Sequence, residues 1–250
     1  MGYSFSKGYY PRYANNKFNG RVTRLLVTPL IKSLIKLFGN NDYLEFIDSF
    51  RYPLAGECSF RKRILRDLTI SNNHFMITSL RYFNPIGAHP SGFIGENPND
   101  IPNNLMPYVL KVAVNNNTKN NLGSQFDMLN IFGDDYNTSD GTCERDFIHV
   151  VDLAKGHVSA LNKMVDLDGY NVFNLGTGNP TSVLELVTTF KKVNNIDIPY
   201  KFANRREGDL DVTFCDPDYT YRVLNWKTEK TIEDMCRDAW YFQKLNPTGF

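Results

Sequence analysis

Apolar and polar residues follow one another along the chain in a pattern that predicts strands alternating with helices. Residues 75–83 are apolar and rich in β-forming side chains, and they end at Asn84-Pro85-Ile86-Gly87, which predicts a buried strand followed by a loop. Further strands are predicted at 128–132, 170–175 and 198–202, and helices at 60–68, 104–114, 151–165, 183–193 and 232–242. This alternation favours an α/β protein.

The spacing of apolar residues also predicts which helix faces are buried. In the helix at 151–165 the shared face comprises Val151, Ala154, Val158, Leu161 and Met164. The helix at 60–68 is predicted to be a surface helix with an apolar stripe at Phe60, Ile64 and Leu68.

Local polar signals predict one helix start and one loop. Ser182 is an expected N-cap, with Glu185 as the third-position carboxylate of a capping box. The Asn-rich segment 115–124 is expected to be a surface loop.

Composition and charge exclude several classes of protein. The chain has 250 residues, of which 42% are hydrophobic and 22% charged, as in ordinary globular proteins. Lys and Arg total 28 against 27 for Asp and Glu, so nucleic-acid binding is not expected. No apolar run is long enough for a membrane span. The cysteines are far apart and form no CxxC pair, which favours reduced thiols in a cytoplasmic protein: Cys58, Cys143, Cys215 and Cys236.

The first 41 residues contain no Asp or Glu and carry seven Lys and Arg side chains. This composition has two interpretations. A basic, acid-free N-terminus is one property of mitochondrial transit peptides, and the alternative is a poorly ordered or diverged segment.

A partial dinucleotide-binding motif occurs at Gly176-Thr177-Gly178, which follows a predicted strand and precedes a predicted helix. The third position of a GxGxxG motif is Thr181 rather than glycine, so a tight structural turn is the better interpretation. No other stretch matches, and the chain has no recognisable NAD-binding loop of its own.

Arginines occur at several predicted strand ends and loops, where α/β folds place ligands. Arg145, Arg205 and Arg206 are suited to a phosphate-bearing ligand, because guanidinium groups bind phosphate oxygens in pairs. The alternative is a set of salt bridges, since Asp146 follows Arg145 and Glu207 follows Arg206. The histidines have no metal-binding spacing, so structural roles are expected for His89, His149 and His157, and no metal site is expected.

Four longer strings resemble segments of the UDP-glucose 4-epimerase (UDP-galactose 4-epimerase) family. They are Leu80-Arg-Tyr-Phe-Asn-Pro-Ile-Gly-Ala-His-Pro-Ser-Gly92, Ile101-Pro-Asn-Asn-Leu-Met-Pro-Tyr108, Asp140-Gly-Thr-Cys-Glu-Arg-Asp-Phe-Ile-His-Val150 and Arg205-Arg-Glu-Gly-Asp209. Leu224-Asn-Trp226, followed by a helix, is also similar to that family. The strings occur in the family's order and cover about residues 59–250.

This resemblance implies a Rossmann-type NAD domain and a smaller C-terminal α/β domain that binds a UDP-sugar, in a family whose members are often homodimers. It implies hydride transfer between sugar C4 and NAD, catalysed by a Tyr-xxx-Lys pair and a hydroxyl group. It also implies a role in galactose metabolism. We expect residues 1–58 to be a diverged basic segment. Residues 59–250 are expected to form the remainder of an incomplete Rossmann-type fold, with its N-terminal strands missing or diverged, plus the UDP-sugar domain.

The catalytic positions of the family fall on residues that cannot perform this chemistry. Counting back from the helix at 59–68, the tyrosine position is Leu54 and the lysine position is Cys58, and the hydroxyl position falls at Leu34. We therefore expect no catalytic residues, a doubtful NAD site, and a truncated, catalytically impaired member of the family. The alternative is a non-catalytic relative that binds a UDP-sugar or another subunit.

The resemblance also implies binding residues in the remaining part of the chain. Those expected to contact the UDP-sugar are Asn84, Asn103, Asn104, Leu105, Asn130, Phe132, Arg145, Arg206 and Asp209. Those expected to line the nicotinamide side are Tyr82, Phe83 and Pro85.

Overall fold

The computed structural model describes residues 64–71, 75–98, 102, 104–118 and 126–247, together with the course of a strand at 43–49. The chain divides into two units, one from residues 1–79 and 166–172 and the other from residues 80–165 and 173–250. The candidate site residues that the structure describes all belong to the second unit. The expected domain boundary between residues 58 and 59 lies outside the described residues.

Strands and helices alternate through the described part of the chain. The strands are β1 Tyr43–Ser49, β2 Met76–Tyr82, β3 Asn84–Ile86, β4 Leu129–Phe132, β5 Glu144–His149, β6 Tyr170–Leu175, β7 Pro180–Ser182, β8 Tyr200–Ala203 and β9 Val212–Thr213. The helices are α1 64–71, α2 Leu105–Thr118, α3 Val150–Met164, α4 Val183–Asn194, α5 Asp218–Leu224 and α6 Ile232–Leu245. The predicted α/β class is therefore confirmed.

Strand β2 lies between β1 and β6 in a three-stranded sheet. Its central residues, from Ile77 to Leu80, are all buried, as in strands covered on both faces. The buried strand predicted at 75–83 is confirmed and ends at Tyr82. The loop expected from Asn84 onwards is wrong, because Asn84–Ile86 form the short strand β3, which pairs with β5.

Strand β5 is the centre of a second sheet and brings distant segments together. It pairs in parallel with β3 and β9 and antiparallel with β7. The registers place Asn84 beside Phe147 and Thr213 beside Arg145. Five of its six residues are buried, so polar side chains on this strand need partners inside the protein. Strands β4 and β8 form a separate parallel pair.

The main hydrophobic core of the second unit lies between helices α2, α4 and α6 and strands β4 and β5. Its members include Val109, Leu110, Ala113, Leu129, Ile131, Phe147, Leu186, Val187, Phe190, Met235, Ala239 and Trp240. Phe190 and Trp240 meet edge to face with ring centroids 6.2 Å apart. Such a core fixes the strand ends that carry the candidate site.

Helix caps follow the local polar signals. The Ser182 hydroxyl accepts a hydrogen bond from the Glu185 backbone N–H at 2.9 Å, so the predicted N-cap of α4 is confirmed. Helix α6 begins with a capping box formed by Thr231 and Asp234.

Most of the face predicted for α3 is not buried, although Met164 is buried as expected. The helix buries Asp152, Gly156, Ala160 and Met164, whereas Val158 is 57% and Leu161 44% exposed. Tertiary contacts select the other face: a Cβ on Gly156 would lie 3.1 Å from Trp226 and 3.2 Å from Leu175, so the helix approaches closely there. Asp152 is buried because its carboxylate accepts the backbone N–H groups of Glu229 and Lys230.

One smaller expectation also needs correction. Helix α2 continues to Thr118, so the first residues of the segment predicted as a loop at 115–124 are helical. In this part of α2, Asn116 donates to the Asp197 carbonyl at 3.0 Å.

Helix α1 lies at the surface, as expected from the sequence, since Ile64 and Leu68 are 42% and 38% exposed. Phe60 lies outside the described residues.

Candidate functional site

Two arginines from distant segments converge on one aspartate at the start of β5. Arg145 Nη2 lies 3.5 Å from Asp209 Oδ1, and Arg206 Nε donates to Asp209 Oδ2 at 2.8 Å. The Asp209 side chain is only 4% exposed, against 10% for Arg145 and 50% for Arg206. We call Arg145, Arg206 and Asp209 the arginine–aspartate cluster. Its ion pairs are not those the sequence suggested, because neither arginine pairs with the acid that follows it.

An aromatic side chain and an unpaired amide oxygen lie on the strand beside this cluster. The Arg206 guanidinium lies 5.1 Å from the ring centroid of Phe132, which is 39% exposed. Asn130 is two residues earlier on β4 and so projects from the same face of the strand. Its Oδ1 atom is buried and has no hydrogen-bond partner within the described part of the chain. A buried acceptor without a donor is costly, so a ligand N–H or O–H fits there.

The third arginine of this region turns away from the cluster. Arg205 Nε donates to Asp135 Oδ1 at 2.5 Å, and Arg205 Nη1 lies 3.8 Å from Asp211 Oδ1. Its guanidinium stacks 4.0 Å from the ring centroid of Tyr136. Arg205 is therefore neutralised by surface carboxylates, which is the salt-bridge alternative considered from the sequence.

Tyr136 is a residue of this region that the sequence did not single out. It is 4% exposed, and its hydroxyl has no hydrogen-bond partner among the described residues. Burial raises the pKa of the Tyr136 hydroxyl, and the negative charge of Asp209 raises it further. The phenol therefore stays uncharged beside the cluster. Gly133, which follows β4, makes room for this ring, because a Cβ there would meet the Tyr136 side chain.

The residues expected on the nicotinamide side lie at the end of β2. The Tyr82 hydroxyl is 2.5 Å from His157 Nε2, and His157 Nδ1 is 2.9 Å from the Leu153 carbonyl oxygen. Phe83 donates its backbone N–H to the Leu175 carbonyl at 3.4 Å, and Pro85 follows in β3.

Among the expected sugar-side residues, Asn84 is joined to the strand that carries Arg145. Its amide donates to the Asp146 carbonyl at 3.3 Å, one residue after Arg145. Asn104 lies at the start of α2 and donates to Glu96 at 3.3 Å, and Leu105 packs partly buried against the core. Asn103 lies outside the described residues, as do the three expected catalytic positions, Leu34, Leu54 and Cys58.

The Gly176–Gly178 turn binds a carboxylate of the protein itself. Asp146, which is fully buried, accepts from Thr177 N at 2.8 Å, Thr177 Oγ1 at 2.6 Å, Gly178 N at 2.9 Å and Cys215 N at 3.2 Å. The interpretation as a tight structural turn is therefore confirmed. These amide groups do not fit a dinucleotide pyrophosphate, because their hydrogen bonds are already made.

The described residues contain neither a metal-binding cluster nor a membrane-spanning helix. None of their His, Cys, Asp and Glu side chains form a group of three or more that could hold a metal ion. No helix among them has the length and apolar character needed to cross a bilayer.

Comparisons with known proteins identify the family. Residues 60–176 match the model of the NAD dependent epimerase/dehydratase family. UDP-glucose 4-epimerase of Dictyostelium discoideum is 43% identical over an alignment 253 residues long that covers 96% of this chain and 70% of that protein. The chain belongs to the UDP-glucose 4-epimerase family. The family resemblance of the four strings is thus confirmed.

Two further relatives of this epimerase-family chain support the same family assignment. UDP-glucose 4-epimerase of Bacillus subtilis is 50% identical over 189 residues, 76% of this chain and 53% of that protein. The chain therefore spans about half the length of this relative. The crystal structure of UDP-glucose 4-epimerase from Bifidobacterium longum in complex with NAD+ and UDP matches at a TM-score of 0.74 and 39% identity, covering 88% of this chain and 68% of that chain.

The structural match confirms the Rossmann-like α/β fold of the epimerase family. The Dictyostelium alignment covers 96% of the chain and so includes most of residues 1–58, beyond the motifs recognised in the sequence.

Proposed function

We propose that this chain binds the nucleotide portion of a UDP-sugar at the arginine–aspartate cluster and the adjoining face of β4. The observation that carries the proposal is the convergence of Arg145 and Arg206, 61 residues apart in sequence, beside an exposed aromatic ring and an unpaired amide oxygen. Guanidinium groups suit a diphosphate, a phenyl ring suits a flat base, and the Asn130 oxygen suits a ring N–H.

Each group has a defined part in this proposal. Arg145 and Arg206 hold the diphosphate, and Asp209 accepts from the ribose. Phe132 stacks on the uracil, and the Asn130 side chain accepts a hydrogen bond from its edge. The sugar end is assigned to Asn84, Asn103, Asn104 and Leu105, and residues 59–250 are the proposed extent of this part of the molecule. The UDP bound to the Bifidobacterium relative supports the nucleotide class.

We further propose that the chain by itself does not interconvert UDP-glucose and UDP-galactose. In the family, NAD supplies hydride transfer at sugar C4 when it is bound. Leu54 and Cys58 stand at the tyrosine and lysine positions, and a leucine side chain has no proton to exchange. The Gly176–Gly178 turn does not fit a dinucleotide, and Tyr82, Phe83 and Pro85 alone do not make a pyrophosphate site.

Calorimetric titration of UDP into the wild type, Arg206→Ala and Arg237→Ala tests the binding. Arg206→Ala is expected to lose about 1.5–3 kcal/mol of binding free energy, the range for a hydrogen bond to a charged group, which is about 10–150-fold in affinity. Arg237 is the matched control, since it is similarly exposed and forms an (i, i+3) pair with Asp234 on α6. Its replacement by alanine should leave UDP affinity unchanged.

Equal affinity of the wild type and Arg206→Ala, with circular dichroism showing both folded, would contradict the assigned binding site. A separate assay addresses catalysis: the purified chain is incubated with NAD and UDP-glucose, and UDP-galactose is measured. Turnover, together with stoichiometric NAD released on denaturation, would contradict the non-catalytic part and leave the binding proposal intact.

A further inference from the structure

Asp209 occupies the position of an internal anion between two guanidinium groups. One carboxylate oxygen faces Arg145 Nη2 and the other accepts from Arg206 Nε, and the side chain is 4% exposed. The cluster therefore has one net positive charge rather than two. Arg205 adds nothing to this charge, because Asp135 and Asp211 neutralise it.

The two arginines of the cluster differ in how much they can offer a ligand. Arg145 is 10% exposed and its Nη1 also donates to the Leu210 and Glu144 carbonyls at 2.8 Å. Arg206 is 50% exposed, and within the described part of the chain its two Nη groups have no hydrogen-bond partner. Arg206 is therefore the side chain that contacts an incoming anion. The hydrogen bond from its Nε to Asp209 fixes the orientation of the guanidinium group.

We propose that Asp209 is a specificity-determining residue that selects nucleoside diphosphates over bare polyanions. Its negative charge, within a few ångströms of any anion on Arg206, weakens the binding of every polyanion. Its bond to Arg206 Nε holds the guanidinium beside the Phe132 ring, where a ligand with both a base and a diphosphate gains two contacts at once. Inorganic pyrophosphate is repelled by the Asp209 carboxylate and has no base whose contacts could offset this repulsion.

This inference rests on the proposed function, because the compensating contacts are those assigned to the uracil and ribose. A like charge a few ångströms from the bound anion should weaken its affinity by about tenfold at a half-exposed, screened site. Loss of the charge in Asp209→Asn should therefore tighten pyrophosphate binding. The same substitution removes the carboxylate that orients the Arg206 guanidinium, so the affinity for UDP should not increase.

The test is calorimetric titration of inorganic pyrophosphate and of UDP into the wild type, Asp209→Asn and Asp211→Asn. Asp211 is the matched control: its replacement removes the same charge from the same loop, but its partner is Arg205. We expect Asp209→Asn to bind pyrophosphate about tenfold more tightly and UDP no more tightly than the wild type. Asp211→Asn should change neither affinity by more than about twofold, because its charge is screened.

Tighter binding of one ligand by the variant is a result that general structural damage cannot produce. Unchanged or weaker pyrophosphate binding by folded Asp209→Asn, or equal tightening of both ligands, would overturn the inference. If Asp209→Asn does not fold, Asp209→Ser removes the same charge and is judged by the same criterion. In the wild type, pyrophosphate must bind at least about tenfold more weakly than UDP, and equal affinities would overturn the inference whatever the variants do. Absence of UDP binding by the folded wild type overturns both proposals.

Discussion

The arginine–aspartate cluster and the Gly176–Gly178 turn both place an aspartate among hydrogen-bond donors, yet they differ in what they leave for a ligand. Asp146 takes four donors from the turn and from Cys215 and is fully buried. Asp209 is shared between two guanidinium groups, one of which is half exposed. Asp146 satisfies the donors of the turn, whereas the arginine–aspartate cluster leaves N–H donors that can reach solvent.

This difference explains why the motif that looked most like a nucleotide site is not one. A glycine-rich turn binds phosphate only when its backbone N–H groups are open, and here a protein carboxylate has filled them. Arginine side chains have five N–H donors each, so Arg206 can bind Asp209 through Nε and still present two Nη groups. An anion site is recognised by donors that remain available, not by the number of donors in a motif.

The largest effect is expected from Asp146→Asn, which removes the carboxylate that holds the Gly176–Gly178 turn. An amide cannot accept from all four donors and brings its own N–H groups towards them. Leaving buried donors unsatisfied should lower the free energy of unfolding by about 3–5 kcal/mol. Urea denaturation measures this change. Asp135→Asn is the control, since its side chain is 71% exposed, and it should cost at most about 1 kcal/mol. Equal losses in the two variants would show that Asp146 is not an integral part of the turn.

A second prediction compares one glycine from each region. A Cβ on Gly176 would lie 2.6 Å from both Asp146 Oδ2 and Cys215 Sγ, whereas a Cβ on Gly208 would meet nothing within 4 Å. Gly176→Ala should therefore lower the free energy of unfolding by up to about 3 kcal/mol through overpacking. Gly208 has φ +85°, so Gly208→Ala should cost only about 1 kcal/mol of backbone strain. Thermal and urea unfolding of both variants provide the measurement, and the reverse ranking would contradict the close packing at Gly176.

The smallest effect concerns His149, a third buried polar residue on β5 that belongs to neither region. Burial lowers the pKa of His149 below its usual 6.5, although the hydrogen bond and charge of Asp238 oppose this. The folded protein therefore binds fewer protons than the unfolded chain as the pH falls below 6.5, and stability falls with it. One group contributes at most about 1.4 kcal/mol per pH unit in that window.

Urea unfolding at several pH values between 5.5 and 7.5 should show this loss in the wild type and a smaller one in His149→Asn, which retains a side chain able to cap α3. His89→Asn is the control for the substitution itself, because His89 is exposed. A wild type whose stability increases as the pH falls through this range would contradict the assignment.

Local sequence patterns predicted β2, β4, β6 and β8 and five of the helices, but they did not predict β5, the strand that carries Arg145. The strand at 75–83, the α4 N-cap at Ser182 and the turn at Gly176–Gly178 all follow from short-range rules, because strand propensity, capping and turn geometry depend on neighbouring residues. The family likewise follows from contiguous strings, and the comparisons confirm it. The buried face of α3 could not be predicted in this way, since Asp152 is buried only because Glu229 and Lys230 bring their backbone N–H groups to it.

Contiguous strings in the sequence are enough to mark Arg145, Arg206 and Asp209 as candidates, and the family resemblance adds Asn130 and Phe132. How these side chains are paired depends on the tertiary fold. Arg145 does not bind the adjacent Asp146, because successive residues of a strand project to opposite faces. Asp146 turns to Thr177 and Gly178, and Arg145 meets Asp209, 64 residues away. Ionic pairing acts through space at a few ångströms, and the strand register sets those distances.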